Sequence, residues 1–241
     1  SGLATNVWTG ATDTDWSKAG NWSKNRSTIY TDAVIIPDSC PNYPLLDFDK
    51  QILSLSISNG ASMSLSGYNL TVDEDTRVAG TLTATGSETL TLSGVLDFSG
   101  GGGFTPANSI VLLPGDATQS VVSAGNTFYQ LTIGDSTGRV VFVDAVDVTT
   151  LVNLGTPLTF GGSLSVASDF QTEGADIAFG GAVTAGQVIF ESGGGANGIG
   201  LWTNADGLEL ANSSVNTGSD ALATVSLTGL NLSHYVQVVG V

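Results

Sequence analysis

The sequence has few of the residues that carry enzyme chemistry or bind nucleic acid. Its 241 residues include one cysteine, one histidine and six lysines and arginines, against 22 aspartates and glutamates. The net charge of −16 argues against nucleic acid as a partner, because such recognition needs a basic surface. A single cysteine, Cys40, cannot form an internal disulfide, and with His234 as the one histidine a zinc site is not expected.

Long apolar runs and helical periodicity are also missing. No apolar run approaches the length of a membrane span, so we predict no membrane insertion. Apolar residues do not recur at the three- and four-residue spacing of an amphipathic helix. Instead, short segments alternate apolar and small polar residues, as in ILSLSIS, where Leu55 and Ile57 alternate with Ser54 and Ser56. This alternation is typical of β-strands.

The strand-like segments follow one another with Gly, Asn and Asp between them. This rhythm predicts an all-β parallel β-helix, or solenoid, with coils of roughly 18–24 residues. One or two antiparallel β-sandwiches remain the alternative. We expect residues 1–45 to form a Trp-rich cap or docking segment and residues 46–241 the solenoid. Residues 208–241 are a candidate for a distinct C-terminal β-segment.

Three of the four tryptophans, Trp8, Trp16 and Trp22, lie near the start of the chain. The motifs around them are Trp8-Thr9-Gly10, Asp15-Trp16 and Gly20-Asn21-Trp22, followed by Val34-Ile35-Ile36-Pro37 and Tyr43-Pro44-Leu45-Leu46. This arrangement resembles the N-terminal motif of large secreted bacterial surface proteins. The resemblance covers about the first fifty residues. It implies a right-handed β-helix and an extracellular or cell-surface location after removal of a signal peptide, and it names no activity.

We expect self-assembly to be the function. Solenoid ends need caps, because free strand edges recruit other chains and unlike ends can join head-to-tail into filaments. The expected product is a homopolymer, with the chain as structural subunit of an extracellular filament or surface layer. The residues expected at the joint are Trp8, Trp16, Trp22, Tyr235, Val236, Val238 and Val239. The tryptophans can alternatively close their own solenoid.

Two other functions stay open. One is a cell-surface adhesin that binds glycans through the glycine-rich segments 99–109 and 191–207, which contain Phe104 and Trp202. The other is a β-helix enzyme acting on polysaccharides. Because His234 has no evident partners and the carboxylates do not converge in sequence, we predict no enzyme, no catalytic residues and no cofactor-binding residues.

Two minor kinds of site are candidates. Asp13 and Asp15 place two carboxylates on one side of an extended segment, where they are candidate ligands of Ca²⁺. Five N-x-S/T sequons are candidates for glycosylation, and they lie at Asn21, Asn25, Asn69, Asn212 and Asn231.

Overall fold

The computed structural model describes residues 4–173, 177–181, 183–191, 202–204, 208–210, 214–216 and 237–239. The chain forms two compact units, one of Ser1–Leu112 with Val122–Tyr129 and one of Leu113–Val121 with Gln130–Val241. Within the described ranges, the one helical segment is a short 3-10 turn at Ala19–Asn21. No described helix is long and apolar enough to cross a membrane.

The strands are short through the first half of the chain. They are β1 (Ala4–Val7), β2 (Asp32–Ile36), β3 (Lys50–Ile52), β4 (Ser54–Ile57), β5 (Ser62–Ser64), β6 (Leu70–Val72), β7 (Thr76–Val78), β8 (Thr81–Thr83), β9 (Thr89–Leu92), β10 (Leu96–Asp97), β11 (Gly103–Thr105) and β12 (Ile110–Leu113).

Longer strands appear in the second half. They are β13 (Thr118–Val122), β14 (Thr127–Ile133), β15 (Arg139–Phe142), β16 (Val146–Asn153), β17 (Leu158–Phe160), β18 (Leu164–Glu173), β19 (Ile177–Phe179), β20 (Val183–Glu191), β21 (Trp202–Asn204), β22 (Leu208–Leu210), β23 (Ser214–Asn216) and β24 (Gln237–Val239).

The first unit is a right-handed parallel β-helix whose coils contain three strands. Its sheets stack in the orders β1-β2-β4-β7-β10, β5-β8-β11 and β3-β6-β9-β12. Leu55 lies beside Thr76, and Thr76 lies beside Leu96, so one coil takes 20 or 21 residues. The predicted parallel β-helix and its coil length are confirmed, and the parallel pairing of the strands is incompatible with an antiparallel sandwich.

The second unit has a similar construction with two strands in each coil. Its sheets contain β13-β15-β17-β19-β21 and β16-β18-β20-β22, and β23 pairs in parallel with β24. Val140 lies beside Leu158, which lies beside Ile177, so a coil takes 18 or 19 residues. Because β16 and β18 have 8 and 10 residues, one long strand replaces two short strands and a corner.

The alternation in the sequence explains the core. In most of the short strands an apolar residue points inward and Ser or Thr points outward, whereas in β7 Thr76 points inward and Arg77 outward. Parallel registration then stacks like residues, and in the second unit Phe142, Phe160 and Phe179 form a ladder. Neighbouring ring centroids in this ladder are 4.8 and 5.3 Å apart, with interplanar angles of 4° and 11°. Stacked aromatic rings add to the free energy gained from burial.

Candidate functional site

The N-terminal segment folds around its three tryptophans. Trp8 and Trp16 are fully buried and Trp22 is 3% exposed. Their ring centroids lie 6.3 Å apart for Trp8 and Trp16, 5.0 Å for Trp8 and Trp22, and 4.7 Å for Trp16 and Trp22. The three indoles therefore form one aromatic core for the segment, which we call the cap (residues 4–50).

Every indole N–H of this cluster has a partner inside the cap. Trp8 Nε1 donates to Asn42 O at 2.7 Å and Trp22 Nε1 donates to Trp16 O at 2.7 Å. Trp16 Nε1 donates to Thr28 Oγ1 at 2.9 Å. Buried tryptophans that satisfy their polar atoms internally are fixed in orientation, so the cap has a defined core of its own.

Asn21 organises the loop that surrounds this core. Its Oδ1 accepts hydrogen bonds from the backbone N–H groups of Thr12 and Asp13, at 2.8 and 3.1 Å. Its Nδ2 donates to Asp13 Oδ1 at 2.8 Å and to Asp15 O at 3.0 Å. Asn21 is fully buried, so the Gly-Asn-Trp motif supplies both a polar hub and an indole of the aromatic core.

Gly20 of the same motif lies close to the side chain of Thr12. A Cβ at this position would lie 2.7 Å from Thr12 Oγ1, closer than real Cβ contacts allow. A side chain at position 20 would therefore make the exposed hydroxyl of Thr12 shift.

A buried carboxylate at the start of β2 holds the preceding loop of the cap in place. Asp32 is fully buried and accepts two hydrogen bonds from the guanidinium of Arg26, at 2.6 and 2.7 Å. Lys24 Nζ lies 3.7 Å from the same carboxylate. Burial acts to raise the pKa of Asp32, but the hydrogen bonds from Arg26 and from Ile29 N hold it below its ordinary value.

Within the cap, the chain near Ser23 covers the outer edge of β1. On one side β1 pairs with β2, and on the other the chain near Ser23 approaches it. Val7 N donates to Ser23 Oγ at 2.9 Å, and Ser23 N donates to Val7 O at 2.8 Å. Thr9 N donates to Asn21 O at 2.8 Å. At Val7 and Thr9 the edge is therefore already occupied, and an added strand would have to displace the cap.

This geometry bears on the residues expected at an assembly joint. Trp8, Trp16 and Trp22 contact one another and cannot touch a neighbouring chain unless the cap opens, so they act as the cap's own core. Val238 and Val239 lie in β24, beside Val215 and Asn216 of β23. Tyr235 and Val236 lie outside the described residues. The head-to-tail assembly itself stays a prediction.

The two candidate calcium ligands are arranged differently from a cation site. Asp13 accepts hydrogen bonds from Lys18 Nζ and Asn21 Nδ2, which in that order lower its pKa. A lysine ammonium thus occupies the position that a cation would need. Among the residues that the structure describes, no three His, Cys, Asp or Glu side chains come together as metal ligands. Calcium binding at Asp13 and Asp15 stays a prediction that Lys18 opposes.

The sequons fall into three groups. Asn21 is buried with its amide engaged, so a glycan does not fit there in the folded chain. Asn25 and Asn69 are exposed, although Asn69 bonds to Asp49 through both its backbone N and its Nδ2. Asn212 and Asn231 lie outside the described residues.

The aromatic residues proposed for glycan binding do not form a described surface. Phe104 lies in β11, is 8% exposed, and packs between Phe98 and Phe128 at centroid distances of 6.0 and 5.8 Å. The expectation that Phe104 is a loop residue for ligand binding is therefore wrong, because the glycine run before it turns a corner into a core strand. Trp202 lies in β21.

Catalytic groups do not converge in the described part of the chain. His234 lies outside it. A shallow groove on the outer face of the first unit contains Arg77 and Asp97, but Arg77 Nη1 already donates to Asp75 at 2.7 Å. That the chain is not an enzyme stays a prediction.

The sequence did not single out one exposed feature of the cap. Ile29 and Tyr30 are 46% and 63% exposed, and Phe48 is 38% exposed. Lys50 Nζ lies 4.8 Å from the centroid of the Phe48 ring and donates to Thr28 O, the residue before Ile29 in the chain. The signal in the sequence was the pair Ile29-Tyr30 standing in an otherwise polar stretch, NRSTIYTD.

Comparisons of the chain with models of protein families, with curated proteins and with solved structures found no match. The resemblance of the N-terminal motif to bacterial surface proteins therefore stays a prediction.

Proposed function

We propose that the chain is the structural subunit of an extracellular filament or surface layer, in which copies assemble head-to-tail through the ends of the β-helix. The observation that carries this proposal is the uneven distribution of charge. Residues 1–50 contain four of the six basic residues and six of the 22 acidic residues, a net charge of −2. Residues 51–241 contain the other two basic and 16 acidic residues, a net charge of −14.

Such a distribution disfavours one relative arrangement of identical molecules. Contacts between the acidic parts of two copies are repulsive, whereas a contact between the cap of one copy and the acidic part of another is much less so. This contact uses two different surfaces, so it is heterologous and propagates unless it closes into a ring. Of the two arrangements that include a cap, cap to cap and cap to acidic part, we propose the second, which gives a head-to-tail polymer.

The coil construction is suited to a structural role. Outward Ser and Thr side chains on the strands present few charged groups, and the coils repeat one parallel registration within each unit. The cap occupies the edge of β1 at Val7, so the joint at this end uses the outer surface of the cap rather than an added strand.

The experiment is electron microscopy of the purified protein together with sedimentation over a range of concentrations. Uniform fibres or sheets, with sedimentation coefficients that grow with concentration, are expected. A species that stays near 24.4 kDa at every concentration would contradict the proposal. Salt provides a second readout: both parts of the chain carry a net negative charge, so screening should lower the repulsion between copies and strengthen association as ionic strength rises.

A further inference from the structure

We propose that Asn59 is a site of spontaneous covalent modification, at which the backbone nitrogen of Gly60 displaces the side-chain amide nitrogen of Asn59 as ammonia. The product is a succinimide ring, which water opens to aspartate or isoaspartate. Asn59 and Gly60 follow β4, and both residues are exposed to water. The proposal does not depend on self-assembly, because the reaction needs only water and the chain itself.

The turn at residues 58–61 leaves the reacting peptide group free of hydrogen bonds. Ala61 N donates to Ser58 O at 2.9 Å, which closes the turn around Asn59 and Gly60. Neither Asn59 O nor Gly60 N forms a backbone hydrogen bond with any residue that the structure describes. Rotation of the peptide group that joins them therefore breaks no hydrogen bond of the fold.

Gly60 gives its nitrogen an open approach to the Asn59 side chain. Its φ is +83°, and glycine adopts positive and negative φ values with similar ease. The space around it is also open, since a Cβ built there would meet one heavy atom of the described chain within 4 Å, Asp38 Cβ at 3.7 Å. Neither a side chain nor a packed neighbour therefore hinders the attack on Cγ of Asn59.

The side-chain amide of Asn59 is available as well. Other asparagines of the first unit use this group to hold the fold, and Asn21, Asn42, Asn69 and Asn126 each donate from Nδ2 to a neighbouring oxygen. The Asn59 amide forms no such bond within the described part of the chain. Its loss therefore meets no resistance from the surrounding structure.

Asn108 lies in a turn with the opposite arrangement. It is exposed, like Asn59, and the residue after it is Ser109. Ser109 is 1% exposed, and its N–H closes the turn by donating to Pro106 O at 2.8 Å. The nitrogen that would have to attack Asn108 is thus part of the fold. We expect folding to protect Asn108 and to leave Asn59 unprotected.

The reaction balances without a cofactor. The nitrogen of Gly60 loses its proton and bonds to Cγ of Asn59, while the bond from Cγ to Nδ2 breaks and ammonia leaves with that proton. Nucleophile and carbonyl belong to neighbouring residues, so the attack is intramolecular and therefore favoured. Water then adds to either carbonyl of the ring, and the product carries one more negative charge than the starting chain, whose net charge is −16.

The modification also alters a contact between this turn and the cap. Tyr43 Oη donates to Gly60 O at 3.0 Å. In isoaspartate the main chain runs through the former side chain and is one methylene longer, so Gly60 O has to move relative to Tyr43. The new carboxylate is a like charge for Asp38, which adjoins Gly60. The reaction therefore changes both the charge and the fit of the turn.

The test follows the amides of Asn59 and Asn108 by peptide mapping of the full chain, kept folded in neutral buffer or unfolded in urea over several weeks. The rate in urea measures what the local sequence allows, so comparison with the folded chain isolates the effect of the structure. We expect Asn59 to react nearly as fast in the folded chain as in urea, and Asn108 to react several-fold more slowly when folded. The mapping scores Asn197-Gly198, which lies outside the described residues, as a separate peptide.

Two controls identify the chemistry. Direct hydrolysis of the amide by water gives aspartate alone, whereas opening of a succinimide also gives isoaspartate, so we expect isoaspartate at position 59. Asn59→Gln keeps an amide at this position but requires a larger ring, which closes more slowly, and its peptide should stay unmodified. Circular dichroism confirms that this variant is folded.

Three results would overturn the proposal. If Asn59 reacts in urea but stays intact in the folded chain, the turn protects it. If folding slows Asn59 and Asn108 equally, the position of the nitrogen within the turn does not matter. If aspartate forms at position 59 without isoaspartate, Gly60 N is not the nucleophile.

Discussion

Trp16 and Thr28 form a buried polar pair in the aromatic core of the cap. Trp16 Nε1 donates to Thr28 Oγ1 at 2.9 Å, and the two side chains are 0% and 2% exposed. Thr76 presents the opposite situation in the coils. Its side chain is fully buried, its Oγ1 has no hydrogen-bond partner, and its strand neighbours are Leu55 and Leu96. The same residue type is therefore paired in one place and unpaired in the other.

Replacing each threonine by valine should change stability in opposite directions. Valine has nearly the same shape as threonine and lacks the hydroxyl. Thr28→Val leaves the Trp16 indole N–H buried without an acceptor, which should lower the free energy of unfolding by about 1–3 kcal/mol. Thr76→Val removes a hydroxyl from an apolar column and should raise the free energy of unfolding by about 1 kcal/mol. Urea unfolding at neutral pH measures both.

Each valine variant serves as the control for the other, because the chemical change is identical. If Thr76→Val is destabilised as much as Thr28→Val, then the hydroxyl of Thr76 has a hydrogen-bond partner in solution. Thr76 would then not lie in an apolar environment between Leu55 and Leu96.

These two threonines also show how far the sequence predicts the structure. Alternation of apolar and small polar residues predicted the parallel β-helix, because period two and short turns are properties of neighbouring residues. The sequence did not predict that Thr76 points inward, since a threonine fits the polar half of the alternation. Its position beside Leu55, which lies 21 residues away, is not contained in any local pattern, although its alternation with Arg77 places it on the same face as Val78.

The cap, too, was predicted only in part, because local patterns show which residues cluster in sequence but not which contacts they make. The clustering of Trp8, Trp16 and Trp22 indicated a local aromatic core. In the structure the three rings contact one another, which agrees with a cap that closes its own solenoid. The polar hub at Asn21 and the ion pair between Arg26 and Asp32 were not predicted. A sequon or an isolated charged residue has the same local sequence whether its side chain is exposed or buried. Only the folded structure therefore distinguishes the buried Asn21 from the exposed Asn25.

The glycine run at the corner before β11 provides a second prediction. A Cβ on Gly102 would lie 2.0 Å from Val78 O, so Gly102→Ala forces the two coils apart. We expect the free energy of unfolding to fall by about 3 kcal/mol, as in other overpacked cores. Thermal or urea unfolding provides the measurement.

Gly103 is the matched control, because a Cβ there meets nothing within 4 Å. Gly103→Ala should stay within about 0.5 kcal/mol of the unmodified protein, as open positions usually do. Equal effects of the two alanines would show that the corner does not bring Gly102 against Val78.

Asn21 should be essential to the cap. Asn21→Ala removes four hydrogen bonds and leaves the backbone N–H groups of Thr12 and Asp13 without their acceptor. The expected loss is about 3 kcal/mol, which is large for one side chain. Because the three tryptophans of the cap are buried, opening of the cap should also shift tryptophan fluorescence to longer wavelength.

An exposed asparagine of the same segment provides the control. Asn25 has a positive φ of 51°, a conformation that glycine adopts without strain, so Asn25→Gly should leave the fluorescence maximum and the unfolding midpoint unchanged. If Asn21→Ala behaves like Asn25→Gly, the hydrogen bonds of Asn21 do not hold the cap together.

Glu88 links two coils of the first unit and makes its stability depend on pH. Its carboxylate accepts hydrogen bonds from Gly67 N at 2.8 Å and from the turn that precedes β9, where Thr85 N, Thr85 Oγ1 and Gly86 N lie at 2.8, 2.8 and 2.7 Å. Burial acts to raise the pKa of Glu88, but these hydrogen bonds favour the charged form and lower the pKa from 4.5 to about 2.

A lowered pKa fixes the direction of the pH effect. Above the unfolded pKa of 4.5, both states are ionised and the full contribution of Glu88, about 3 kcal/mol, is present. As pH falls from 4.5 toward 2, the unfolded state binds a proton before the folded state does, and the contribution is lost. Glu88→Gln should therefore be less stable than the unmodified protein at neutral pH, and the difference should disappear near pH 2.

The measurement is the free energy of unfolding of both proteins in urea at several pH values. Glu74→Gln removes the same charge from an exposed position and should lower stability by no more than about 0.5 kcal/mol at any pH. A difference between Glu88→Gln and the unmodified protein that stays constant from neutral pH to pH 2 would mean that the carboxylate is not stabilised in its charged form. In that case the turn at Thr85 would be held by other contacts, and acid would act on the first unit through other carboxylates.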